Sequence, residues 1–140
     1  DEVVSKTEEY IEKMTTLFVL ETLDVFRKNG RLNHLQAIIT SALRLKMVMG
    51  GEPDGTVGVR AKALTIESAI SKMVGIIQNA GGKLDLSNKI LVISHCSCEE
   101  RMMRVKELIS AKVNFKDIIL CRTGGISTMY ANSGGIVLAF

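Results

Sequence analysis

Two β-type runs, Lys46–Gly50 and Thr56–Ala63, flank a turn, Gly51–Glu52–Pro53–Asp54–Gly55, which holds the chain's single proline and an Asp–Gly pair. Asp–Gly ahead of a new β-run marks a hairpin, because glycine supplies the positive φ that such turns require. A hairpin puts an antiparallel pair into whatever sheet forms, which excludes a doubly wound, all-parallel one. Around it, strand and helix signals alternate. Thr15–Leu20, Lys89–His95, Asp117–Cys121 and Ile136–Phe140 read as strands, the second and third as fully buried ones. Asp1–Met14 is an amphipathic helix with Val3, Thr7, Tyr10 and Met14 on one face. A short helix capped by Thr22 carries Leu23 and Phe26 together and stops at Gly30. Leu35, Ile38, Ile39, Ala42 and Leu43 predict a helix from about Asn33 to Leu45. Thr65 caps another that turns Ile66, Ile70, Met73 and Ile77 inward. Ser97 caps the next, whose Met102, Val105 and Ile109 face the core. The expected fold is an α/β two-layer sandwich, with a mixed, largely antiparallel sheet of about six strands and flanking helices.

A chain of 140 residues suits one domain with a real core. It opens on Asp1 rather than methionine, so it reads as part of a longer protein, with residues 1–14 a linker helix arriving from a preceding lobe. At 46% hydrophobic it is oily, yet no apolar run approaches the ~20 residues that span a bilayer. The surplus must face a core, a ligand or another domain. A net charge of +3 with 4% aromatics offers no case for nucleic acid. Three cysteines, an odd number, suggest reduced thiols and a cytoplasmic location. Seven methionines with four phenylalanines and no tryptophan point to an adaptable aliphatic interior.

Three stretches carry candidate chemistry. Arg31 follows the Gly30 stop and precedes Asn33, a cap for the next helix. An arginine beside a helix N-terminus is a small anion receptor, or else a solvated loop residue. The segment Gly124–Gly135 is rich in small residues and places Ser127 and Thr128 together. Such a segment is either a ligand cradle or a plain glycine-rich connection between strands. It is not a P-loop, since no Gly–Lys–Ser/Thr follows. His95–Cys96–Ser97–Cys98, with Cys121, has the ingredients of a metal site but lacks a second paired set of ligands. A histidine closing a buried strand is more often structural, and no metal is expected. Adjacent strand residues point to opposite faces, which also argues against a catalytic Cys–His pair.

The segment Leu23–Asp24–Val25–Phe26–Arg27–Lys28–Asn29–Gly30–Arg31–Leu32 resembles the leucine–acidic–x–leucine–basic–basic–glycine–glycine–arginine–isoleucine stretch of the DegV family, in its C-terminal domain. The strand Val57–Gly58–Val59–Arg60–Ala61–Lys62–Ala63, the strand end Ile93–Ser94–His95 and the terminal Ile136–Val137–Leu138–Ala139–Phe140 resemble that family in the same order. The resemblance implies a non-catalytic, bacterial fatty-acid-binding protein that presents a long acyl chain to a fatty acid kinase. The ligand would lie between this lobe and an N-terminal lobe carrying the serine and threonine hooks for the carboxylate. It implies Arg31 as the anion contact, Leu35, Ile39 and Met129 as tunnel liners, and Arg60 and Lys62, alternating onto one strand face, as the kinase-docking residues. A solvated strand face is the plain alternative for that last pair. Met129 stands where the family typically has a histidine, so any carboxylate contact made there is lost or passes to Tyr130, Ser127 or Thr128. Two other classes stay open: a phosphoryl-transfer or hydrolase lobe using Gly124–Gly135 as an anion cradle, and a structural dimerisation lobe.

Overall fold

A computed structural model describes residues 1–30 and 45–140. The helix predicted over Asn33–Leu45, and with it Arg31, Leu35 and Ile39, falls on residues 31–44 and so lies outside the described residues, Leu45 aside. The described elements run α1 (Glu2–Lys13), β1 (Thr16–Val19), α2 (Asp24–Lys28), β2 (Lys46–Gly51), β3 (Val57–Ala63), α3 (Ile66–Gly81), β4 (Ile90–His95), α4 (Glu99–Ser110), β5 (Asp117–Arg122), α5 (Gly125–Ala131) and β6 (Ile136–Ala139).

Six strands form one sheet in the order β3-β2-β1-β6-β4-β5. Every neighbouring pair is antiparallel except β4 and β5. This is the mixed α/β architecture expected. The hairpin is where Asp54–Gly55 placed it: Gly55 takes φ +81°, its N–H donates to Glu52 O at 2.9 Å, and Asp54 Oδ1 accepts from Thr56 N at 2.9 Å.

Among the described residues, more helix covers one face of the sheet than the other. On the thicker side, Leu17, Val19, Val48, Leu91, Ile93, Ile136 and Leu138 pack beneath α3 and α4. The inward residues read from periodicity, Ile70, Met73 and Ile77 on α3 and Met102, Val105 and Ile109 on α4, all lie in this core. Each fully buried aliphatic side chain there contributes about 1.5–3 kcal/mol. On the thinner side, Phe18, Leu20, Met47 and Met49 are covered by Leu23 and Phe26 of α2 and Ala131 of α5.

Five local expectations change. β5 is an edge strand, with Ile119 at 45% exposure, because it pairs only with β4. β4 is buried on one face only: Leu91 and Ile93 are at 0% exposure and Ile90 is at 45%. Thr22 does not cap α2, since Leu23 holds the N-cap position, but Thr22 Oγ1 accepts the Asp24 N–H at 3.2 Å just ahead of it. Likewise Ser97, at φ 52°, yields the α4 cap position to Cys98. Thr65 does cap α3, accepting from Ser68 N at 3.1 Å. The largest change is in Gly124–Gly135, whose middle is the helix α5 rather than a glycine-rich connection. Asn132 (φ 54°) and Gly134 (φ 89°) end it by turning the chain left-handed into β6. No residue of α1 is buried, so its apolar stripe, Val3, Tyr10 and Met14, is bare.

One ion cluster ties these parts together. Glu21, just past β1, accepts from Lys46 Nζ at 2.8 Å and pairs with Arg101 Nη2 of α4 at 2.8 Å. Lys46 also donates to Glu21 O at 2.7 Å, and Arg101 Nη1 donates to Gly134 O. Partial burial raises the Glu21 carboxyl, but the hydrogen bonds and charges of Lys46 and Arg101 outweigh it and hold the pKa below its ordinary value. A lowered folded-state pKa gives stability that is complete above the unfolded-state pKa and is lost as pH falls through the folded one. Unfolding followed from pH 7 to pH 3 should therefore show a loss below the ordinary glutamate range that Glu21→Gln flattens. At neutral pH the variant should cost about 1 kcal/mol, a small figure because the cluster is part-exposed and screened.

Candidate functional site

Among the described residues, the thinner face of the sheet holds an apolar groove of about 440 Å³. Its floor is the alternate, downward set of residues on β1 and β6, Thr16, Phe18, Leu20 and Val137, with Ser94 from β4. Its walls are Phe26 of α2, Ile126, Ser127, Tyr130 and Ala131 of α5, and Gly55 and Val57 of the hairpin. An aromatic stack joins floor to wall. Phe18 and Phe26 are parallel with centroids 5.6 Å apart, and Phe26 meets Tyr130 at 4.7 Å and 55°. The stack makes α2 and α5 one rim, and that packing sustains a seven-residue helix too short to be stable alone.

A helix advances about 100° per residue, so α5 divides its own residues. Ser127 and Tyr130, both expected at the site, face the groove. Thr128 does not: its hydroxyl lies 2.9 Å from Thr123 Oγ1, in a separate polar cleft with His95, Cys96, Ser97, Glu99 and Arg122. Met129, half-exposed at 50%, lines neither of these two concavities. Arg31, Leu35 and Ile39 fall outside the described residues. The sequence reading missed Phe18 and Phe26 as groove-forming residues; their signal was the apolar alternation of β1 and the single aromatic on α2.

Arg60 and Lys62 do not share a face. The register passes from Val48↔Ala61 to Met49↔Val59, leaving Arg60 as an extra residue in a β-bulge. Lys62 pairs with Met47 and lies on the groove side of the sheet. Arg60 instead lies over Gly50, donating to Glu52 Oε1 at 2.8 Å and Gly51 O at 2.9 Å. Period-two counting fails at the bulge because one residue drops out of the ladder.

The cysteine cluster is structural in its contacts. His95 Nδ1 accepts the Cys98 N–H at 3.0 Å, Cys98 Sγ points to Gly135 O at 3.4 Å, and Cys121 is exposed. Burial pushes the Cys98 thiol up, outweighing the nearby Arg101 charge, so the reactive thiolate is disfavoured. Among the described residues no group of three or more His, Cys, Asp or Glu side chains is placed to hold a metal ion. None of the described helices is long and apolar enough to cross a membrane.

Fold and groove together define a class: an α/β lobe with a mixed sheet and, among the described residues, an apolar groove on one of its faces. The family described as "Uncharacterised protein, DegV family" matches residues 1–140, and the chain belongs to the DegV family. It is 29% identical over 140 residues to a DegV domain-containing protein of Streptococcus gordonii, covering 100% of this chain and 48% of that one. The chain thus spans about half the length of the curated relatives it matches. Among solved structures, it is similar to a DegV family protein of Ruminococcus gnavus with vaccenic acid, at 40% identity and TM-score 0.86, covering 99% of this chain and 49% of that one. It is also similar to the fatty acid kinase B3 protein of Streptococcus pneumoniae loaded with linoleic acid, at 27% identity and TM-score 0.82, covering 99% and 48%.

The seat of α5 depends on Gly135, where an added methyl would sit 2.5 Å from Ala131 O. Gly135→Ala should therefore destabilise by about 2 kcal/mol or more, because backbone cannot give way as a side-chain tip can. Gly124→Ala, with nothing within 4 Å, should stay within about 0.5 kcal/mol. Denaturant midpoints of the two variants against the parent check the contrast.

Proposed function

We propose that this chain is one lobe of a fatty-acid-binding protein, holding the acyl chain in the groove beneath α2 and α5 and against an N-terminal lobe. The observation that carries the reading is the apolar floor and rim, Phe18, Leu20, Phe26, Val57, Ile126 and Val137, in a fold whose neighbour at 40% identity was crystallised with vaccenic acid. Burial at about 0.8 kcal/mol per methylene supplies most of the affinity of a long chain, before the costs of association and ordering. The bare stripe of α1 (Val3, Tyr10 and Met14) fits a helix that packs on the N-terminal lobe.

The carboxylate end takes Ser127 and Tyr130 from α5, with Arg31 supplying the charge. No covalent step falls to this lobe; a fatty acid kinase partner carries out the phosphoryl transfer. The bulged edge strand β3 is the docking surface. Among the described residues the Lys62 ammonium has no partner, while Arg60, held by Glu52, fixes the shape of the strand. The anion-cradle reading loses its loop to α5, and no observation favours the dimerisation reading.

Organic extraction and mass spectrometry of the purified full-length protein should find a co-purified long-chain fatty acid. A protein that carries none and takes up no added vaccenic acid would refute the proposal. Arg31→Ala should weaken binding of a fatty acid about tenfold while leaving its methyl ester almost unchanged, since a charge-assisted hydrogen bond is worth about 1.5–3 kcal/mol. Equal losses for acid and ester, in a titration of both against the full-length protein, would remove Arg31 from the site.

A further inference from the structure

Across α5 from the groove lies the second concavity, about 440 Å³, at the carboxyl ends of the parallel pair β4 and β5. It is lined by His95, Cys96, Ser97, Glu99, Arg122, Thr123 and Thr128 and is polar where the groove is apolar. The proposed function leaves it unused.

His95 is the residue that makes it more than a surface dent. Its side chain is buried, at 5% exposure, yet it lines the cleft. Because Nδ1 accepts the Cys98 N–H at 3.0 Å, that nitrogen carries no proton and the ring N–H lies on Nε2. Among the described residues Nε2 makes no hydrogen bond. Nor does any fully buried side-chain nitrogen or oxygen there lack a partner, so Nε2 must open onto the cleft. A buried donor aimed at an opening wants an acceptor.

The other groups fit one chemistry. Thr123 and Thr128 hydroxyls are 2.9 Å apart, so one proton is used between them and the other is free to donate outward. Arg122, exposed and without an ion-pair partner among the described residues, adds a planar cation. Glu99, equally unpaired there, adds one carboxylate, which repels a bare anion but accepts from an anion that still carries a proton. Three kinds of donor and one carboxylate acceptor match a phosphate with a P–OH. Sulfate, of similar size but a full dianion with no proton, leaves Glu99 opposed. We infer that this cleft is a second ligand site, specific for a protonated phosphate, taken either as the free ion or as the phosphoryl end of a monoester.

The test is a titration of the full-length protein with sodium phosphate, sodium sulfate and methyl phosphate at matched ionic strength and pH 6, where a P–OH persists on phosphate and in part on the monoester. Calorimetry and the His95 Nε2–H resonance of histidine-labelled protein are read together. Saturable phosphate binding that shifts the Nε2–H signal, with sulfate at least about tenfold weaker, is the expected result. Arg122→Ala should weaken phosphate about tenfold, and Glu99→Gln should close the gap between phosphate and sulfate. Both side chains are exposed, so neither substitution threatens the fold. Methyl phosphate binding as tightly as phosphate would support the site with a monoester as its ligand. Weaker binding would support it with the free ion. Phosphate and sulfate binding alike with Glu99→Gln silent, or no saturable shift at His95, would overturn the assignment.

Discussion

The fold hangs on the insertion of β6 between β1 and β4. The hairpin strands β2 and β3 reach the rest of the sheet through β1, and β5 reaches it through β4. Only β6, antiparallel to both neighbours, joins the two halves: Leu138 stands opposite Leu17 on one side and Ile93 on the other. Those three residues are at most 1% exposed. Main-chain bonds between Thr15 and Phe140, at 2.8 and 3.0 Å, extend the ladder by one more pair. Since the chain must arrive at β6 from the edge strand β5, it crosses the sheet end, and the crossing is α5.

That crossing decides what the thin face offers. α5 sits with an apolar groove on one flank and a polar cleft on the other, and helical geometry turns Ser127 and Tyr130 to the first and Thr128 to the second. Its hold is electrostatic and aromatic at once. Arg101 grips Gly134 O and Glu21, Glu21 grips Lys46, and Tyr130 leans on Phe26. The thick face has no such division: α3 and α4 cover it with aliphatic side chains.

Much of this was legible in the residues themselves. Asp54–Gly55 announced the hairpin because a positive φ is a property of glycine, wherever it stands. Thr65 announced α3, and the periodic Met102, Val105 and Ile109 announced the face of α4, because capping and amphipathic spacing are local. The family resemblance was legible for the same reason: it rests on short contiguous segments. Arg31 entered as a candidate on that basis, though it falls outside the described residues.

What failed to show was whatever depends on a partner distant in sequence. Gly124–Gly135 has weak helix propensity, and α5 exists because Phe26 and β6 give it something to pack on. Asp117–Cys121 has the composition of a buried strand, but only the strand order makes β5 an edge. Arg60 and Lys62 obey period two on paper; a bulge against β2 separates them. The sequence by itself determined the element types outside α5, the hairpin and the mixed sheet, since these follow from backbone preference and local periodicity. The tertiary structure alone decided which strand lies at the edge and which side of α5 each hydroxyl serves, because burial and register are set by contacts between residues far apart in the chain.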